Sequence, residues 1–258
     1  MNIIEKAKNI CLGSESKRND NPCNACSKDQ SYRKYEASKI IFPIYDRNPE
    51  VFESRYSYNT ETKTYHLKKQ STANKAVIMC AGDLMCEPVM SRAMMFNQRY
   101  FFEHGFERVR NVFKKSDFAI ANLETTVTEM VPYAHETHKL EGRYHCNAPI
   151  EYLDALRFAG FDALAQANNH NADAGADGLI DTVKNVHDKN FMHTGLFRSE
   201  DEQRFLLVDI NNIKVAFLSY TEHINRNLDQ KILNKLGQAT LVNRYSGEKL
   251  KKDIEAAK

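Results

Sequence analysis

Three polar clusters each sit at the end of a compact apolar run. Asp83 follows Ala76 to Ala81, Asn122 and Glu124 close the run that begins at Phe118, and Asn168, Asn169 and His170 follow Phe161 to Ala167. Carboxylate, amide oxygen and imidazole are hard to borderline ligands, and they suit Mn²⁺, Fe or Zn²⁺ better than a soft thiolate set would. Two such ions clamp an attacking hydroxide and a leaving oxygen, and they bring the pKa of bound water to near ~7. Taken singly, each cluster also has a plainer reading. Asp83 after Gly82 suits a turn or a helix cap, Glu124 suits a solvated loop, and an Asn-Asn-His run suits loop capping. His170 alone reads as a structural histidine. Asp173 reads first as a cap for the following helix and second as a partner that orients His170.

The elements that must position these residues follow from periodicity. Ala76 to Ala81, Phe118 to Leu123 and Phe161 to Ala167 are continuous apolar runs of strand length, the pattern of strands buried on both faces. Between them lie helical spacings: Phe106, Val109, Arg110 and Phe113, then Ile150 to Ala159 after Pro149 and before Gly160, then Leu179, Val183 and Val186. Arg204 to Ile210 and Ile213 to Tyr220 flank Asn211-Asn212, which predicts a tight hairpin. Strands alternating with helices predict an α/β sheet. In such a sheet the crevice lies beyond the carboxyl ends of the strands, so clusters distant in sequence can share one pocket.

Other candidates lack a strand end or helix period to aim them. His135, His138 and His145 lie in the polar stretch from Tyr133 to Asn147, read as a loop at the crevice mouth. Arg92 and Arg143 could meet an anionic group but read as solvated. Cys23 and Cys26, with Cys11 upstream, lack the second pair that a structural zinc site wants. Cys80, inside an apolar run, reads as a reduced core residue. Walker, dinucleotide and Gly-x-Ser-x-Gly motifs are all missing from the sequence.

Lys and Arg number 36 against 34 Asp and Glu, so no global field draws nucleic acid or an anionic membrane. No run of eighteen apolar residues and no secretory leader is visible, which predicts a cytoplasmic chain without a membrane span. Residues 1–75 are expected to form an extension: an amphipathic helix over Met1 to Leu12, a polar loop, a short strand at Lys39 to Phe42, and a hairpin between Val51 and Leu67. The regular α/β pattern occupies residues 76–258. Its last element, an amphipathic helix from Gly247 with Leu250, Ile254 and Ala257 on one side, leads into no further strand. The expectation is a domain incomplete at its C-terminus.

The ordered set Gly82-Asp83-Leu-Met, Ala121-Asn122-Leu123-Glu124, Ala167-Asn168-Asn169-His170, Asp173-Ala-Gly175 and Gly178-Leu179 resembles the bacterial capsule-synthesis, poly-gamma-glutamate (CapA-type) family. Leu156 to Asp162, Thr194-Gly195 and Val215 to Tyr220 match as well. The resemblance implies a calcineurin-like metallophosphoesterase fold, an α-β-β-α sandwich with a two-metal site at strand ends. It implies Asp83 and Glu124 as metal ligands, Asn169 as an amide ligand and His170 as the residue contacting substrate oxygen, with Asn122 and Asn168 as further candidates. Family members continue into His-Trp-Gly-like and Gly-His-His-Pro-His-like segments that supply histidine ligands. This sequence has no Trp and no such histidines after His223. About half the implied metal shell is therefore expected from a missing C-terminal half or a partner chain. The implied function is hydrolysis or transfer at an ester or amide bond of an anionic polymer, with cell-surface association. The alternatives are a non-catalytic module that binds such a polymer or a partner protein, and a small-molecule phosphoesterase.

Overall fold

The computed structural model describes residues 54–133, 146–199, 201–225 and 241–258. The helix read at Met1 to Leu12, the strand at Lys39 to Phe42, Cys11, Cys23, Cys26, His135, His138, Arg143 and His145 lie outside the described residues.

The chain runs β1 (Tyr56–Asn59), β2 (Thr64–Leu67), β3 (Ile78–Leu84), α1 (Pro88–Ala93), β4 (Met95–Phe96), β5 (Arg99–Tyr100), α2 (Glu103–Phe113) and β6 (Phe118–Leu123). It continues with β7 (Thr126–Val127), β8 (Asn147–Ala148), α3 (Glu151–Ala159), β9 (Ala163–Ala165), α4 (Gly175–Asp188), β10 (Met192–Thr194), β11 (Leu206–Ile210), β12 (Ile213–Phe217) and α5 (Gly247–Ala257). The expected α/β class is found. One four-stranded sheet has the order β10-β9-β6-β3 and is parallel throughout; a second has the order β1-β2-β11-β12. The hairpin read into the N-terminal extension is part of this second sheet, because β2 pairs in parallel with β11 through Thr64 and Leu207.

Alternation along β6 explains the layers. Phe118 and Ile120 face a core built with Tyr56, Leu67, Met192, Leu206, Val208 and Ile210, so the two sheets pack face to face. Ala119, Ala121 and Leu123 face the opposite way, onto Tyr152, Leu153 and Leu156 of α3 and Phe106 and Phe113 of α2. A strand covered on both sides has no polar position to spare until its end. A third cluster, Leu179 and Val183 of α4 with Leu196, Ile224, Leu241 and Val242, holds the segments around the strand ends together. The turns follow their residues. Gly160 ends α3 at φ 102°, and Asn211 and Asn212 turn the β11–β12 hairpin at φ 54° and 64°, the left-handed pair that this turn requires.

Some expectations need correction. Cys80 is exposed, because β3 is an edge of its sheet among the described residues, and an edge strand shields one side less. Strand β3 also runs on through Gly82 and Asp83 to Leu84, with a register shift between Ala81 and Asp83. In α5, Ile254 is 41% exposed while Asp253 is buried. Asp253 accepts a hydrogen bond from Tyr220 Oη at 2.6 Å. The short elements α1, β4 and β5 have no counterpart in the periodicity.

A polar clip joins β1 to the parallel sheet. Arg55 Nε donates to Asp162 Oδ1 at 3.1 Å, and its second terminal nitrogen reaches Oδ2. The same Oδ2 accepts from Ala119 N at 2.9 Å. Burial pushes the Asp162 carboxyl up, while Arg55 and the Ala119 amide pull it back. Asp162→Ala strands both donors and is expected to destabilise the fold by about 2–3 kcal/mol. Asp162→Asn keeps an acceptor for Ala119 N and is expected to lose roughly half as much. Urea midpoints of the two variants check this order.

Candidate active site at the strand ends

Strands β3 and β6 lie side by side with Asp83 opposite Asn122. Asn122 Nδ2 donates both its hydrogens, one to Asp83 Oδ1 at 2.8 Å and one to Glu124 Oε2 at 2.8 Å. Its Oδ1 accepts from Asn168 Nδ2 at 2.9 Å. Asn168 Nδ2 also donates to Leu123 O at 2.8 Å, and Asn168 Oδ1 accepts from His170 N at 3.1 Å. Asn122 is thus the hub that ties the ends of β3, β6 and β9 into one network. Burial raises the Glu124 pKa above the ordinary carboxylate range, and the neighbouring Asp83 raises it further; His170 and Asn122 act the other way. Among the described residues neither carboxylate pairs with a lysine or arginine.

A second cluster adjoins the first. His170 Nδ1 lies 2.7 Å from Asp173 Oδ2, and that oxygen accepts from Cys146 N at 2.7 Å. The side chains of His170 and Asp173 are only 11% and 4% exposed. Asp173, bonded to the ring, and the adjacent Cys146 thiol push His170 up to about 10, against burial, which lowers it. The residue before α4 is Ala174, and no side chain caps that helix. Asp173 therefore orients His170, the second of its two readings, and the cap reading is corrected. Ligand atoms of Cys146, His170 and Asp173 all lie within 4.8 Å of one another.

Close packing sets the backbone that carries Asn168 to His170. Gly195 has φ +92°, and a Cβ there would come within 2.6 Å of Ala167 N. Only glycine lets Thr194-Gly195 lie this close to the segment leading into the site. Asn169 Nδ2 donates to Asn225 Oδ1 at 3.1 Å, which brings in the segment after β12.

Seven of the residues read from sequence lie together at these strand ends. Asp83, Asn122, Glu124 and Asn168 share one hydrogen-bonded network, and Asn169, His170 and Asp173 form the adjoining cluster through Asn225. Cys146 and Asn225 were not anticipated. Cys146 lies at the end of a polar stretch and Asn225 in a segment without periodicity, so neither carries a positional signal.

The donor set fits a divalent cation. Asp83 and Glu124 share one amide as donor and, among the described residues, neither pairs with a lysine or arginine, so their remaining lone pairs could serve a cation.

Residues 77–258 match the family described as bacterial capsule synthesis protein PGA_cap. The capsule biosynthesis protein CapA of Bacillus anthracis is 27% identical over 155 residues, which is 60% of this chain and 36% of that protein. The PGA biosynthesis protein CapA of Bacillus subtilis (strain 168) is 26% identical over 119 residues, 45% of this chain and 30% of that protein. The protein y4uA of Sinorhizobium fredii is 27% identical over 156 residues, 58% of this chain and 32% of its own length. The matched segment thus spans about a third of each of these relatives. No helix among the described residues is long and apolar enough to cross a membrane. With the family match covering well over half of its residues, the chain belongs to the bacterial capsule synthesis protein PGA_cap family.

Proposed function

We propose that this chain carries part of a divalent-metal-dependent hydrolase centre of metallophosphoesterase type, within an α-β-β-α sandwich, and that it acts on an ester or amide bond of an anionic polymer. The observation that carries the reading is the pair Asp83 and Glu124, held by one amide beside the His170–Asp173 pair. Asp83, Glu124 and Asn169 would hold one or two ions of Mn²⁺, Fe or Zn²⁺. When bound, the metal would polarise the scissile bond and furnish a nucleophilic oxygen near neutral pH.

The side chains supply the rest. Asn122 spaces the two carboxylates, and its carbonyl oxygen, held by Asn168, keeps it from turning over. Asp173, held at Nδ1 of His170, fixes the orientation of the ring beside the two carboxylates. With its pKa raised, the ring is cationic at neutral pH and can stabilise a developing oxyanion or protonate a leaving group. The shell on these residues is partial, so further ligands would come from a longer form of the protein or a partner chain. The names of the Bacillus relatives, capsule biosynthesis and PGA biosynthesis, favour a poly-gamma-glutamate or capsule-type polymer as substrate. The same partial shell favours one second reading, a module that binds the polymer without cleaving it.

Calorimetric titration of the 258-residue chain with Mn²⁺, with and without poly-gamma-glutamate, tests both. On the hydrolase reading Mn²⁺ binds, and Asp83→Ala lowers its affinity at least about tenfold. Unchanged Mn²⁺ affinity in that variant would sink the metal-centre reading. Polymer binding that needs no metal would shift the conclusion to the module. Release of phosphate from p-nitrophenyl phosphate, but no cleavage of polymer, would redirect it to a small-molecule phosphoesterase.

A further inference from the structure

We infer that Asn225 is a positioning residue that fixes which face of the Asn169 amide looks into the site. The inference rests on the proposed role of Asn169 as a metal ligand. It starts from an asymmetry at Asp173, whose ionised carboxylate can only accept hydrogen bonds. His170 Nδ1 lies 2.7 Å from one carboxylate oxygen, and Asn225 Nδ2 lies 3.5 Å from the other and 3.2 Å from His170 Nδ1. The Nδ1 proton of His170 is directed at Asp173 Oδ2. The Asn225 amide nitrogen beside it faces the other carboxylate oxygen, Oδ1, so the two nitrogens converge on one carboxylate as donors. The Asn225 amide oxygen then points the opposite way, where it accepts from Asn169 Nδ2 at 3.1 Å. The backbone closes the contact, since Asn225 N donates to Asn169 O at 2.9 Å.

Orientation passes along this chain of groups. With Asn169 Nδ2 committed to Asn225, the atom left over is Asn169 Oδ1, which has no hydrogen-bond partner among the described residues. Oδ1 is also the one atom of that amide able to ligate a cation. Without Asn225, the Asn169 amide could turn its nitrogen inward and lose that capacity. The same residue ties the loop beyond β12 of the second sheet to the strand-end cluster of the first.

Asn225→Ser, which is too short to reach Asn169, and Asn225→Ala test this with two readouts on the 258-residue chain. The first needs no metal. The Asn169 side-chain amide proton resonance should move upfield in both variants while thermal unfolding stays near that of the parent. The second is Mn²⁺ affinity by calorimetry for Asn225→Ser, Asn169→Ala and the double variant. Each single variant should weaken Mn²⁺ binding about tenfold, the loss expected when a ligand's supporting hydrogen bond is removed. The double variant should be no weaker than Asn169→Ala alone, because Asn225 acts through Asn169. Additive losses, or an unmoved Asn169 amide signal, would overturn the inference. A moved amide signal with Mn²⁺ affinity unchanged even in Asn169→Ala would instead remove the metal role on which the inference rests.

Discussion

Phe118→Ala is expected to lower folding stability by about 3–5 kcal/mol. Phe118 begins β6 and has no exposed surface. Its ring stacks on Phe217 with centroids 4.8 Å apart and meets the edge of Tyr56 at 5.8 Å. It therefore fills the space between the two sheets at the point where β1, β6 and β12 converge. Removing it forfeits the transfer energy of a phenyl ring and leaves a cavity that cannot close cheaply. Both walls are sheets whose spacing is set by their own hydrogen-bonded ladders, so neither collapses inward without breaking register. Tyr56 loses its packing partner as well, while its hydroxyl remains tied to Asp117 O. The effect should exceed that of Asp162→Ala, and Phe118→Leu should lose only about 1–1.5 kcal/mol because most of the volume is kept. Urea unfolding checks this through the midpoint at constant slope. A loss below about 1.5 kcal/mol for Phe118→Ala would mean that the sheets do not depend on this contact.

Much of that architecture is legible in the sequence because burial on both faces leaves a plain signature. Phe118 to Leu123 reads as a strand and is one, bounded as expected. Asn122 stands out within it because an amide has no partner inside an apolar layer, only at its edge. The same logic locates Asp83 and Asn168. Where a segment's environment depends on its neighbours across the fold, the pattern gives no warning. Cys80 sits in an apolar run yet is exposed, because what decides its burial is the sheet edge and not the run. Asp173 is three residues from His170, a spacing that suits a helix cap as well as an ion pair. Only the turn through Ala172 and Ala174 settles which. Asn225 reaches Asn169 across 56 positions from a segment with no periodicity, so nothing local announces it.

Asp173→Asn is expected to have the largest functional effect. Asn keeps an oxygen to accept from Cys146 N but removes the charge that holds His170 as a cation. In the proposed hydrolysis, the loss of an oriented and protonated imidazole should cut turnover by about 10²–10⁴-fold. The same substitution has a stability signature that needs no substrate. His170 has a folded pKa of about 10 against an ordinary value of 6.5, raised by Asp173 and Cys146. A histidine raised on folding adds stability that is fully present below its unfolded pKa and is lost as pH climbs to the folded one. The parent should therefore exceed Asp173→Asn by about 1.5–3 kcal/mol near pH 6, the range for a hydrogen bond to a charged group. The gap should narrow steadily above pH 6.5 and close near pH 10. Chemical denaturation at intervals between pH 6 and 10 measures it. A gap constant across that range would mean that Asp173 holds the ring through a neutral hydrogen bond, and the cationic role assigned to His170 at neutral pH would fall with it.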